Sequence, residues 1–148
     1  MSIEFRRFRE EELEQAWQLD REAFNSAESD RDRFMDYCDP NRMHGAFVSG
    51  RAVAMTSVLP CVHYFGGRRV EAGGVSSVTV APDYRGQGLA SRILADAITG
   101  MRTHGEVVSS LYPANSRLYR EMGWEFAGSC FYREVAAHAL LDLQRPAA

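Results

Sequence analysis

The sequence predicts an α/β (α+β) fold: a mixed, mostly antiparallel central sheet with helices on both faces. Three observations carry this. Two helices are expected near the N-terminus, the first with apolar residues at helical spacing, the middle is a run of strand-like segments broken by glycine turns, and the remainder alternates strand, helix, strand, helix, strand. The length of 148 residues, with 45% apolar and 25% charged residues, is that of an ordinary globular domain, and residues 1–148 are expected to form a single one.

Residues 3–8 alternate apolar and polar side chains, as a half-buried strand does. In 10–24, Leu13, Ala16, Trp17, Leu19, Ala23 and Phe24 fall near helical spacing, and acids in the first turn suit the helix dipole. Residues 25–30 read as loop. A second short helix over 31–38 is stopped by Asp39-Pro40, because a proline pushes the residue before it out of helical backbone. Gly50-Arg51, between strands 45–49 and 52–64, signals a hairpin. Gly66-Gly67 marks the next turn, and 75–80 is a β-branched run ended by Pro82. From Leu89 the period becomes helical: Leu89, Ile93, Leu94, Ala97, Ile98 and Met101 share a face, and Gly105 is the stop. A strand over 107–112, a short helix over 116–122 ended by Gly123, and a final strand over 126–135 complete the order.

Seventeen basic and twenty acidic residues give a net charge of −3, so no general attraction to nucleic acid is expected. Every basic residue is arginine. Without lysine, a Walker-type phosphate loop, a Schiff base and a catalytic lysine are all excluded. Cys38, Cys61 and Cys130 are widely spaced with no C-x-x-C pair, which points to buried inert thiols and to no metal site. The apolar stretches fall far short of the roughly 20 residues that span a bilayer, and the charged start over 1–9 does not read as a secretory signal. The expectation is a cytoplasmic domain that binds neither nucleic acid nor membrane, with homo-oligomerisation left open.

The chemistry concentrates in Val75-Ser-Ser-Val-Thr-Val-Ala-Pro-Asp-Tyr-Arg-Gly-Gln-Gly-Leu-Ala90. A strand runs into a tight loop holding Gly86 and Gly88, and that loop opens directly into a helix. Backbone N–H groups at a helix start lack partners and converge with the positive end of the dipole. Glycines let the main chain approach a bulky anion, and Arg85 adds a planar donor fork. This reads as a diphosphate cradle. A dinucleotide fingerprint is met only in part, because its third glycine position is Ser91 and the next strand ends in Tyr112-Pro113 rather than in an acid.

Arg85-x-x-Gly88-x-Ala90 after a strand resembles the acetyl-CoA loop of the GNAT superfamily of N-acetyltransferases. The order of elements resembles that family over most of the chain, and Leu118-Tyr119-Arg120-Glu121-Met122-Gly123-Trp124 resembles its aromatic-x-x-x-Gly-aromatic segment. More narrowly, Gly66-Gly67, Gly74-Val75-Ser76-Ser77-Val78-Thr79-Val80 and Leu111-Tyr112-Pro113 look like the N-terminal domain of Eis-type (enhanced intracellular survival) acetyltransferases. The resemblance implies acetyl-CoA as cosubstrate. It implies that Val78, Thr79 and Val80 offer main-chain groups to the acetyl and pantetheine portions, and that Arg85, Gly86, Gln87, Gly88, Leu89 and Ala90 hold the pyrophosphate. The strand over 107–112 would diverge from 75–80, with Asn115 beside the wedge. Core packing would equally account for the side chains of Val78 and Val80.

The resemblance also implies Tyr119 as general acid. A phenol with a pKa near 10 is protonated at neutral pH and can donate to a departing thiolate. The alternative is that Tyr119 and Leu118 only bury their helix. Candidates for the base are Glu28, Glu71, His63 and the carboxylates around Asp30 to Asp36, each equally readable as a solvated charge. Eis-type chains continue into further domains whose terminal carboxylate returns as the base; this sequence stops at Ala148, so the expectation is that Ala148 itself folds back, that a free-standing relative uses a different base, or that the chain is a fragment of something longer. The acceptor is expected to be a primary amine of a small cation, aminoglycoside-like or polyamine-like, drawn by Glu28, Asp30, Asp32, Asp36 and Asp39. Trp17, Phe24, Phe34, Tyr37 and Tyr64 are expected in the core or the cleft. A non-catalytic acyl-CoA sensor, or an accessory domain of a larger protein, is the alternative from another class; a nucleotide-binding domain is the third.

Overall fold

The computed structural model of the chain describes residues 2–129 and 131–140. Strands β1 (Ile3–Arg7), β2 (Met43–Val48), β3 (Arg51–Phe65), β4 (Arg68–Val80) and β5 (Val108–Ser110) form one sheet in that order. The first three junctions are antiparallel and the β4–β5 junction is parallel. Helices α1 (Leu13–Phe24) and α2 (Arg31–Tyr37) come between β1 and β2, α3 (Leu89–Thr103) joins β4 to β5, and α4 (Ser116–Glu121) comes after β5. Two-residue turns make both hairpins. Ser49 and Gly50 have φ of 50° and 79°, and Gly66 and Gly67 have 55° and 77°, the left-handed pairs that match the twist of flanking strands.

Two apolar clusters lie on this sheet. In the first, Trp17 of α1 meets Phe34 of α2 with ring centroids 5.4 Å apart, over Met43, Phe47, Val53 and Met55. The second joins Val58 and Val75, which are register partners, to Leu94, Ala97 and Met101 of α3 and Tyr119 of α4. Gly73 makes room for this contact: a Cβ there would sit 2.2 Å from the Met101 sulfur and 2.9 Å from Val58, so those side chains would have to shift. Arg42, at the entry to β2, ion-pairs with buried Glu106 just before β5 and donates from Nε to the Val58 carbonyl at 2.8 Å. That tie fixes where β5 begins.

Three segments depart from the sequence reading. Strand β4 begins at Arg68 rather than at 75, because Arg68, Arg69 and Glu71 sit on an arm of the hairpin whose side chains face solvent and hide the pattern. Strand β5 is three residues rather than the whole of 107–112. Val107 and Tyr112 are 77% and 86% exposed, and pairing with β4 ends at Gly74–Ser110. No strand forms at 126–129 or 131–135, where Phe126 and Phe131 are exposed; Cys130 lies outside the described residues. Aromatic composition signals strand there, but propensity alone does not make a ladder, and no described residue of that segment is paired into the sheet. The thiols of Cys38 and Cys61 are half-buried rather than sealed in the core.

Candidate active site

Beyond Val80 the chain makes a short 3-10 turn over Pro82–Tyr84 and enters the glycine loop. Gly86 and Gly88 both have φ of 75°, and a Cβ on either would meet nothing within 4 Å, so both face open space. Gly88 is the N-cap of α3 and brings no capping side chain. The helix first takes up the N–H of Arg92, bonded to the Gly88 carbonyl at 3.2 Å. The N–H groups of Leu89, Ala90 and Ser91 therefore lie ahead of the helical ladder. Leu89 is buried in the first cluster and anchors this start, while Arg85, Gly86, Gln87 and Gly88 are exposed. Arg85 folds back, its Nε donating to the Val80 carbonyl at 3.2 Å.

The strand feeding this loop is irregular. Ser76 pairs with Ser57 and Thr79 with Met55, so Ser77 and Val78 together oppose the single residue Thr56. Ser77 takes a φ of 52° to make this bulge. The bulge reverses the alternation of β4. Val78 then packs with the α3 and α4 cluster that contains Tyr119, Val80 packs with the first cluster, and Thr79 is buried.

Because β5 leaves β4 after Gly74, a cleft of about 760 Å³ opens between them, walled by Val75, Ser76, Leu111, Tyr119 and Trp124. Helix α4 sets Tyr119 in that wall. Asn115 caps α4, its side chain accepting from the Arg117 N–H at 3.1 Å, and is itself exposed. Tyr119 is buried with its ring edge-on to Trp124 at 6.1 Å, and burial pushes its pKa up, so the hydroxyl keeps its proton at neutral pH.

Among the candidate bases, His63 lines the same cleft, with Nε2 3.2 Å from the Ser110 hydroxyl. The others stand apart from it. Glu28 pairs with Arg21 at 2.8 Å, Glu71 with Arg69 at 3.1 Å, and Asp30, Asp32 and Asp36 are exposed. Trp17 and Phe34 are core residues, and Phe24, Tyr37 and Tyr64 are exposed; none of the five lines the cleft.

Sequence reasoning missed Asp20. It is buried on α1, where its Oδ1 accepts from the Ser77 hydroxyl at 2.7 Å and Oδ2 from Ser26 at 3.4 Å. Burial raises its pKa. The signal was present in the spacing: Asp20 is four residues from both Ala16 and Phe24, an acid on an apolar stripe.

The family model described as "Acetyltransferase (GNAT) domain" matches residues 4–127. The chain belongs to the GNAT family. An uncharacterized N-acetyltransferase of Streptomyces griseus is 37% identical over 116 residues, which is 77% of this chain and 28% of that protein. The crystal structure of a GCN5-related N-acetyltransferase from Kribbella flavida superposes with a TM-score of 0.80 at 28% identity, covering 86% of this chain and 34% of that one. Eis1 from Mycobacterium abscessus shares the GNAT fold, with a TM-score of 0.71 at 22% identity over 82% of this chain and 30% of its own. This GNAT chain thus spans about a third, or less, of these relatives. No described helix is long and apolar enough to cross a membrane.

Proposed function

We propose that residues 1–148 act as one acetyl-CoA-dependent N-acetyltransferase domain whose acceptor is a primary amine of a small cation, with Tyr119 as general acid. The observation that carries this is the uncapped glycine loop at the end of β4, adjoining a strand whose far edge opens onto a cleft walled by a protonated phenol. The residues present fit the cosubstrate. The amides of Leu89, Ala90 and Ser91 lie ahead of the helical ladder, Gly86 and Gly88 leave their faces clear, and Arg85 brings a cation to the same loop.

When bound, acetyl-CoA supplies a thioester whose acyl carbon–sulfur bond breaks as the amine nitrogen bonds to that carbon. The chain contributes position and proton transfer. Amides over 86–91 and the Arg85 guanidinium would hold the diphosphate charge, the Arg85 amide being taken by the Pro82 carbonyl, and Val78 and Val80 would offer main-chain groups where β5 has already left β4. Tyr119 delivers its hydroxyl proton to the leaving sulfur. An alkylammonium with a pKa near 10 is unprotonated in roughly one molecule in a thousand at pH 7, so a proton acceptor is also required. Among the candidates, His63 faces the cleft and takes that role in this reading. Exposed Asp30, Asp32, Asp36 and Asp39 make the α2 side attractive to polycations.

Release of CoA measured against polyamine and aminoglycoside panels tests this. Tyr119→Phe is expected to lower turnover about 100-fold while acetyl-CoA affinity stays as in the parent. Equal turnover by the two proteins would remove Tyr119 from the mechanism. Acetyl-CoA binding by calorimetry with no transfer to any amine would favour the sensor or accessory-domain alternative.

A further inference from the structure

We infer that Asp20 is a positioning residue that holds the β4 bulge, and through it the main chain of Val78, in the arrangement that recognises the acetyl group. The inference rests on the proposed acetyltransferase function and assigns a role to a helix residue outside the cleft.

Three described non-glycine residues have positive φ. Asn25 caps the C-terminus of α1 and Ser49 sits in a hairpin turn, both ordinary places for that backbone. Ser77 is in the middle of a strand, where a side chain strains the left-handed conformation and something must hold it. The Asp20 carboxylate meets it, accepting the Ser77 hydroxyl at 2.7 Å from a buried position on α1, with the Tyr37 side chain as a second neighbour of that hydroxyl. A second bond steadies the residue before it, where the Thr56 hydroxyl donates to the Ser76 carbonyl at 3.1 Å. Thr56 is the β3 residue that Ser77 and Val78 straddle.

The consequence falls on Val78. On the β3 side it lies outside the paired register, and on the β5 side pairing has ended four residues earlier, at Gly74. Val78 thus has no register partner on either side, and its side chain packs in the cluster that holds Tyr119. Asp20 carries hydrogen bonds from two hydroxyls, and no ion pair to an arginine is seen among the described residues. A buried carboxylate with only neutral donors is costly to keep, and a positioning role accounts for its retention.

Calorimetry with acetyl-CoA and with free CoA tests the inference without relying on turnover. In Asp20→Ala, acetyl-CoA affinity is expected to fall about tenfold while free CoA affinity stays within twofold, the size of one lost hydrogen bond at the acetyl group. Asp20→Asn, which still accepts from Ser77, is expected to behave as the parent. Asp20→Ala combined with Ser77→Gly is expected to recover, because glycine takes positive φ without a partner. Three results would each overturn the assignment: an unchanged preference in Asp20→Ala, an Asp20→Asn as weak as Asp20→Ala, or no recovery by Ser77→Gly. A parent protein that binds neither ligand would overturn the proposed function as well.

Discussion

Strand β4 has two edges, and they are treated differently. Toward β3 it is paired from Arg68 to Val80 with one bulge, and on that side Trp17 of α1, Phe34 of α2 and Phe47 of β2 form a sealed apolar layer. Toward β5 it is paired only from Ala72 to Gly74, and past Gly74 lies a cleft with a buried tyrosine in its wall. Stability belongs to the first edge and, in the proposed function, chemistry to the second. Opening the second edge leaves main-chain groups unclaimed by the sheet, which is tolerable because the first edge already fixes the strand.

Variants on either side should separate stability from binding. The largest effect is expected from Trp17→Ala, which removes a side chain only 1% exposed and should cost about 3–5 kcal/mol in denaturant unfolding. Acetyl-CoA affinity of the folded fraction should be unchanged.

Next is pH. His44 on β2 has its pKa pushed down to about 4, by burial and then by neighbouring Arg7. Between about 4 and the ordinary 6.5 the unfolded chain takes up a proton that the folded chain refuses. Stability should therefore be full above that window and fall through it by about 3 kcal/mol as pH drops. His44→Gln should flatten this part of the curve in thermal melts, and a curve unchanged by the substitution would remove His44 as the cause.

Smaller still is Gly88→Ala on the open side. Its φ of 75° should make alanine cost about 1–2 kcal/mol, with no steric clash because nothing lies within 4 Å. Unlike Trp17→Ala, it should weaken acetyl-CoA binding in the protein that remains folded.

The closed side was more legible in the sequence than the open side. Periodicity located the helix around Trp17, because burial of one face writes itself into spacing, while Asp39-Pro40 marked the end of the helix around Phe34 and glycines marked the turns at 50 and 66–67. The glycine loop was legible because glycine and the strand–loop–helix order are local signals, whereas Tyr119 was singled out by the family resemblance. The length of β5 was not legible, because it depends on where β4 turns away. The strand expected over 126–135 does not form at 126–129 or 131–135, where propensity alone does not make a ladder. The Ser77 bulge and its contact with Asp20 join residues 57 positions apart, and no local pattern at Ser77 announces it.

A titration of the isotope-labelled chain with acetyl-CoA, monitored by amide resonances, most directly tests the cradle. The largest shifts are expected at Gly86, Gln87, Gly88, Leu89, Ala90 and Ser91, with smaller ones at Val78 and along the cleft wall. Shifts confined to other segments, or a spectrum unchanged at saturating acetyl-CoA, would contradict it.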